Sequence, residues 1–168
     1  MQETNQIAEQ SRGELVSTLL AGAIAGFVAT APMTAAMEMM HRRLPWWERY
    51  RLPPSQIIAR VTRKLGVRKH MDRSEHVATT LGAHFAYGTA AGAVYAPLAT
   101  LVPLPAALKG VVFGLIVWGV SYLGLLPSLG ILPPATVHPP RRNVLMVVAH
   151  IVWGAVLGVL ADLIQRRR

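Results

Sequence analysis

No cysteine occurs in the 168 residues. Disulfides, thiol nucleophiles and cysteine-ligated metals are thereby excluded, and the redox character of the compartment leaves no mark on the chain. Acidic side chains are scarce too, with eight Asp and Glu against 17 Lys and Arg. None of the eight falls in the middle of an apolar run, so paired-carboxylate catalysis has no donors there. No nucleophile–base pair and no phosphate-binding glycine loop accompanies them. A catalytic role is not expected, and no cofactor or metal is assigned.

What the chain does have is apolar length. Hydrophobic residues make up 52% of it, gathered into runs at 15–40, 77–102, 106–126 and 144–164. Each reaches the roughly 20 residues a helix needs to cross a hydrocarbon core. Lipid offers backbone groups no hydrogen-bond partner, so such runs must be helical. The expectation is a single all-α domain over 1–168, a four-helix transmembrane bundle. The first run carries Ala29-Thr30-Ala31, which a signal peptidase could read. However, Glu3, Glu9 and Glu14 outnumber Arg12 ahead of it, and Pro32 follows, so a retained span is expected.

The charge of +9 is unevenly placed. The loop 41–76 holds Arg42, Arg43, Arg49, Arg51, Arg60, Arg63, Lys64, Arg68, Lys69 and Arg73, and the last loop adds Arg141 and Arg142. The opposite face has Arg12, Lys109, Arg166, Arg167 and Arg168. The positive-inside bias puts loops 41–76 and 127–143 in the cytoplasm and both termini outside. Within the first loop, residues 55–71 read as an amphipathic interfacial helix, with Ile57, Ile58, Val61 and Leu65 at helical spacing. Arg60, Arg63, Lys64, Arg68 and Lys69 would meet anionic lipid headgroups. Pro53-Pro54 would end the segment before it, Ser55 could cap it, and Trp46, Trp47 and Tyr50 suit the membrane–water boundary. No base-stacking platform or groove-reading motif accompanies the charge, which argues against nucleic acid.

The second and fourth runs share Ala-His-x-x-aromatic-Gly-x-x-x-Gly: His84, Tyr87, Gly88 and Gly92 against His150, Trp153, Gly154 and Gly158. The first and third carry Gly22/Gly26 and Gly110/Gly114, and Leu-Pro then Leu-Pro-Pro follows each. This reads as a tandem repeat of a two-helix hairpin, parallel in the membrane, with a pseudo-twofold axis along its normal. Glycines four apart share a face and allow close backbone approach. A tight bundle follows, with some pairs available to a homo-oligomer or another membrane subunit.

His84 and His150 each lie about seven residues inside their runs, hence at like depth. An ionisable group there is a functional candidate. Three roles are open: a neutral clamp bonded to a neighbouring helix, a proton or ion relay in a small transporter, and axial ligation of a b-type haem or metal. The adjacent glycines weigh against haem, because they imply helices too close for a porphyrin. Glu38 and Asp162 near run ends read as interfacial. Met33, Met37, Met39 and Met40 precede His41; thioethers suit Cu(I), but methionine more often fills gaps in apolar packing. Pro32 should kink the first span.

The order of elements resembles the YagU-type bacterial inner-membrane proteins, a poorly characterised family. The resemblance rests on the glycine-rich first span, His84, Lys109-Gly110-x-x-x-Gly114, Leu132-Pro133-Pro134 and Ala149-His150-Ile151-Val152-Trp153. It implies a multipass protein of the bacterial inner membrane and no assigned reaction. The basic first loop departs from the family pattern.

The charge count makes a direct prediction. A reporter enzyme that is active only outside the cytoplasm, fused after Arg168, will be active. A fluorescent cytoplasmic reporter at that position would invert the arrangement.

Overall fold

The computed structural model describes residues 2–167; for residues 2–5, 7, 8, 68 and 69 it describes the backbone alone. The described residues form helices and connecting turns, with no strand among them. The long helices are α1 (Gln2–Arg42), α2 (Pro53–Lys64), α3 (Arg73–Thr100), α4 (Ala106–Gly119) and α6 (Pro140–Arg166). A π-helical segment, Val120–Leu125, joins α4 to the short α5 (Leu126–Ser128).

Three helices are long and apolar enough to cross a membrane: Glu9–Arg42 within α1, Ala106–Ser128, and α6. Their outward faces carry exposed Leu20, Ile24 and Phe27 on α1 and Val112, Ile116 and Val120 across the fourth helix and its π segment. Apolar surface on that scale is what a bilayer covers and water does not. These are the features of a membrane protein. The expected second span, α3, does not join the three. At 28 residues it has the length, but Thr79, Thr80, His84, Thr89 and its glycines dilute its apolar character.

Two hairpins form the frame, α1 against α3 and α4 against α6. Both meet at glycine. A Cβ at Gly22 would fall on the carbonyl oxygen of Gly92, and one at Gly26 on that of Gly88. In the second hairpin a Cβ at Gly110 would fall on the Gly154 carbonyl, at Gly114 on that of His150, and at Gly158 on that of Ala106. With no side chains between them, backbones touch directly and dispersion is gained along the whole seam. The contacts correspond when Gly26 is matched with Gly110 and Gly22 with Ala106. This lies one helical turn from the match made by motif alone. All eight glycines of these pairs meet a neighbouring helix of the same chain.

The hairpins join through α1 and α6, while α3 and α4 barely touch. A twofold axis exchanging the hairpins would make those two seams alike, so the expected pseudo-twofold arrangement is broken. Trp153 on α6 fills the α1 seam and donates from Nε1 to the Gly26 carbonyl at 3.4 Å. Tyr95, Phe113 and Trp153 stack in series beside it, with centroids 5.2 and 6.1 Å apart.

The helix expected over residues 55–71 is shorter. It runs over Pro53–Lys64 and stops where Gly66 turns left-handed at φ 75, a conformation that costs a residue without Cβ nothing sterically. Pro53 opens α2 rather than ending a segment, because the first turn needs no N–H there. Leu52 is the cap residue and Ser55 does not cap; its Oγ lies 3.0 Å from Nε2 of His76 on α3. Ile58, Ala59 and Thr62 are buried against the bundle, so the apolar face of α2 covers protein. Leu65 is exposed.

The glycine seams predict a sharp contrast. Gly154→Ala will lower stability by about 1–3 kcal/mol through overpacking. Gly82→Ala, with nothing within 4 Å of its new Cβ, will be neutral or stabilising by about 0.5–1 kcal/mol. Thermal unfolding of the two variants in mild detergent measures both; equal effects would rule out the seam as the basis of stability.

Candidate functional site

The separation of α3 from α4 leaves a cavity of about 240 Å³ between the hairpins. Each surrounding element supplies something to it. Met33 and Met37 come from α1, His84 and Tyr87 from α3, and Met146 and His150 from α6. Pro54, Ile57 and Ile58 of α2 close the loop-side end, and Trp153 lies toward the other.

The π-helical segment builds the remaining wall. Widening one turn of helix re-aims the side chains it carries, and such turns recur at functional sites. Here it buries Ser121 and Tyr122, both of which line the cavity. Tyr122 stands edge-on to the His150 ring, with centroids 6.0 Å apart at 86°. The Tyr87 hydroxyl lies 3.1 Å from Ser121 Oγ and bridges the thin α3–α4 seam.

The hydrogen bonds assign a tautomer to each histidine. His150 Nδ1 lies 2.7 Å from the Met146 carbonyl, which can only accept, so Nδ1 carries the proton. Thr34 Oγ1 donates its one proton to the Thr30 carbonyl at 2.7 Å. Its longer contact to His84 Nδ1, 3.4 Å, therefore has the ring donating. In the neutral ring this leaves each Nε2 as the lone-pair acceptor, and no protein donor meets either Nε2 among the described residues. A clamp between helices describes His84, bound to α1, but not His150, which bonds its own helix. The glycines bring α1 to α3 and α4 to α6, not α3 to α6, so they do not narrow the space between the two rings. Among the described residues no three His, Asp or Glu side chains gather as a metal site.

A second polar centre lies on the loop side. Arg142 is buried and donates to three carbonyls of the first loop: Glu48 at 2.8 Å, Tyr50 at 3.0 Å and Arg51 at 3.1 Å. Its guanidinium sits 3.6 Å over the Tyr50 ring, so charge and planar surface are both used. The Tyr50 hydroxyl in turn lies 2.8 Å from His138 Nδ1. Burial, aided by the Arg142 charge, holds the His138 pKa below its ordinary value. In the sequence Arg142 reads only as a topology charge. Its burial, like the π segment, left no signal in spacing or composition.

The basic residues of α2 divide. Arg60 and Arg63 are exposed. Lys64 is engaged, donating to the Leu129 carbonyl of the other hairpin's loop at 3.0 Å. The side chains of Arg68 and Lys69 lie outside the described residues. Glu38 and Asp162 each pair with an arginine one turn on, Arg42 at 3.0 Å and Arg166 at 2.7 Å, contacts open to solvent on the arginine side and of small energetic worth. Met39 is exposed, apart from the cavity-lining Met33 and Met37.

His138 supplies a pH test. Its depressed folded pKa means the unfolded chain takes up a proton first as pH falls. Its contribution to stability is complete above about pH 6.5, the unfolded value, and is lost as pH drops through the folded value. His138→Gln will therefore flatten the fall in thermal stability between pH 7.5 and 5 relative to wild type. Parallel profiles for the two proteins would remove His138 from the account.

No curated protein and no solved structure matches the chain. A family model described as "Protein of unknown function (DUF1440)" matches residues 48–159. That stretch covers two thirds of the sequence, from the Arg142-bound loop through α2, α3 and α4 to the far glycines of α6. The chain belongs to the DUF1440 family.

Proposed function

We propose that this chain is a small multipass protein of the bacterial inner membrane, of the YagU type, that binds a small ligand between its two hairpins. The observation that carries the reading is the pair of imidazoles lining one apolar cavity, each with an Nε2 that meets no donor among the described residues. Membrane-embedded sites are largely apolar pockets with a few convergent polar groups, and intramembrane histidines are kept only where something pairs with them. The ligand must bring a hydrogen-bond donor or a positive centre, because both anchors accept.

In this reading α3 is the fourth span. Its length, its glycine seam with α1 and its flanking Val94 and Leu98, both exposed, support that placement. The matching contacts at Gly26 and Gly110 support an ancestral hairpin duplication whose two halves have since diverged. Loops 41–76 and 127–143 face the cytoplasm, where exposed Arg60 and Arg63 meet anionic headgroups. The protein acts by binding rather than by a bond-breaking step. Binding is also favoured over a conducting relay, because Trp153, Phe113, Tyr95 and the glycine seams fill the bundle beyond the histidines.

Native mass spectrometry from mild detergent tests the reading. Wild-type chain will release with a non-covalent species bound. Val117→Trp, which fills the cavity from α4, will fold and release without it. A wild-type chain with no adduct, or an adduct retained by Val117→Trp, would refute the proposal.

A further inference from the structure

The methionines of the cavity are the one feature that a generic apolar pocket does not need. Met33, Met37 and Met146 line the same space as His84 and His150, and all three are buried. Their heights agree. The Trp153 bond to Gly26 sets the register between the antiparallel α1 and α6. Seven residues toward the loops from that level lies Met33 on α1, and seven residues the same way on α6 lies Met146. His150 stands one turn from Met146 on the same face. His84 bonds Thr34, the neighbour of Met33 in sequence. Met33 and Met146 thus share one level, and the two imidazoles line the same cavity about one helical turn from it.

We propose that the inter-hairpin cavity is a Cu(I) site, held by Nε2 of His84 and His150 and by the thioether sulfurs of Met33 and Met146, with Met37 beside them. This rests on the reading of the cavity as a ligand site and names its ligand. Soft thioether and imidazole donors select Cu(I). The ligand set is neutral, so one positive charge enters without proton release. No carboxylate lines the cavity to recruit Mg²⁺ or Ca²⁺, which need oxygen donors. Both histidines hold the tautomer a metal requires, with Nδ1–H tied to an acceptor and Nε2 presented, the outer bond that orients ligating imidazoles elsewhere. The rings of Tyr122 and Trp153 line the same space.

The test is anaerobic titration of the full chain in mild detergent with Cu(I) against a chromophoric chelator. One Cu(I) per chain will bind, and X-ray absorption will show both nitrogen and sulfur neighbours. The paired variant Met33→Leu with Met146→Leu keeps volume and apolarity. It will weaken binding at least tenfold while retaining wild-type thermal stability without metal. Met39→Leu with His41→Ala, outside the cavity, will leave binding unchanged. Failure to compete with the chelator, sulfur-free absorption, or loss of binding only in the Met39/His41 variant overturns the copper assignment. If copper is refused but native spectra still show a species displaced by Val117→Trp, this inference fails alone and the ligand-site reading survives. If neither is seen, both fall.

Discussion

Contact between backbones at glycine is the constraint from which the rest of this structure follows. In lipid no hydrophobic force drives one apolar helix onto another, so association depends on how closely they can approach. Gly26 against Gly88 and Gly110 against Gly154 bring helix axes together with no side chain between them. Two hairpins result, each held along a seam where a single added methyl would strike a carbonyl. Everything larger than glycine is displaced from those seams. The bulky side chains go either outward, as Ile24 and Val112 do, or into the space between hairpins, as Trp153 and Tyr122 do.

That second destination creates the cavity. The hairpins meet on one side only, where Trp153 of α6 packs against α1 and the methionines of α1 pack against α6. On the other side α3 and α4 stay apart, bridged by Tyr87 and Ser121. The π-helical segment deepens the asymmetry, because it has no counterpart in the first hairpin. Two helices that carry the same motif therefore end in different surroundings. His150 is buried and tied to its own helix, whereas His84 is half-buried and tied to α1. The loops are bound into the same frame. Arg142 gathers the carbonyls of residues 48, 50 and 51, which lead directly into α2. Pro54, Ile57 and Ile58 of α2 then roof the cavity. A buried guanidinium is tolerable there because three carbonyls and the Tyr50 ring replace its water, with the charge of Glu48 close by.

Much of the frame was legible in the chain, and each correction has a physical reason. Helical runs are visible because lipid demands continuous apolar length. The glycines are visible because a four-residue period places them on one face. The register between hairpins was not visible, since Gly-x-x-x-Gly reads alike at either of two successive turns. The extent of α2 was misread because amphipathic spacing continues past Lys64, while the chain turns left-handed at Gly66. Lys64 was grouped with lipid-facing charges because its partner, a carbonyl 65 residues away, has no local signature. The symmetry expected of the repeat fails for the same reason: motif identity constrains each hairpin but says nothing about which flank of one meets the other.

The sequence by itself determined that the protein is helical and membrane-suited, where backbones must touch, and that two histidines share a depth. These are properties of period and composition, carried within single helices. Only the tertiary structure decided that α1 meets α6 while α3 leaves α4. From that choice come the cavity, the company of Met33 and Met146, and the burial of Arg142. Such features arise from contacts between residues far apart in the chain, and they depend on the shapes of side chains in three dimensions, which no periodicity records.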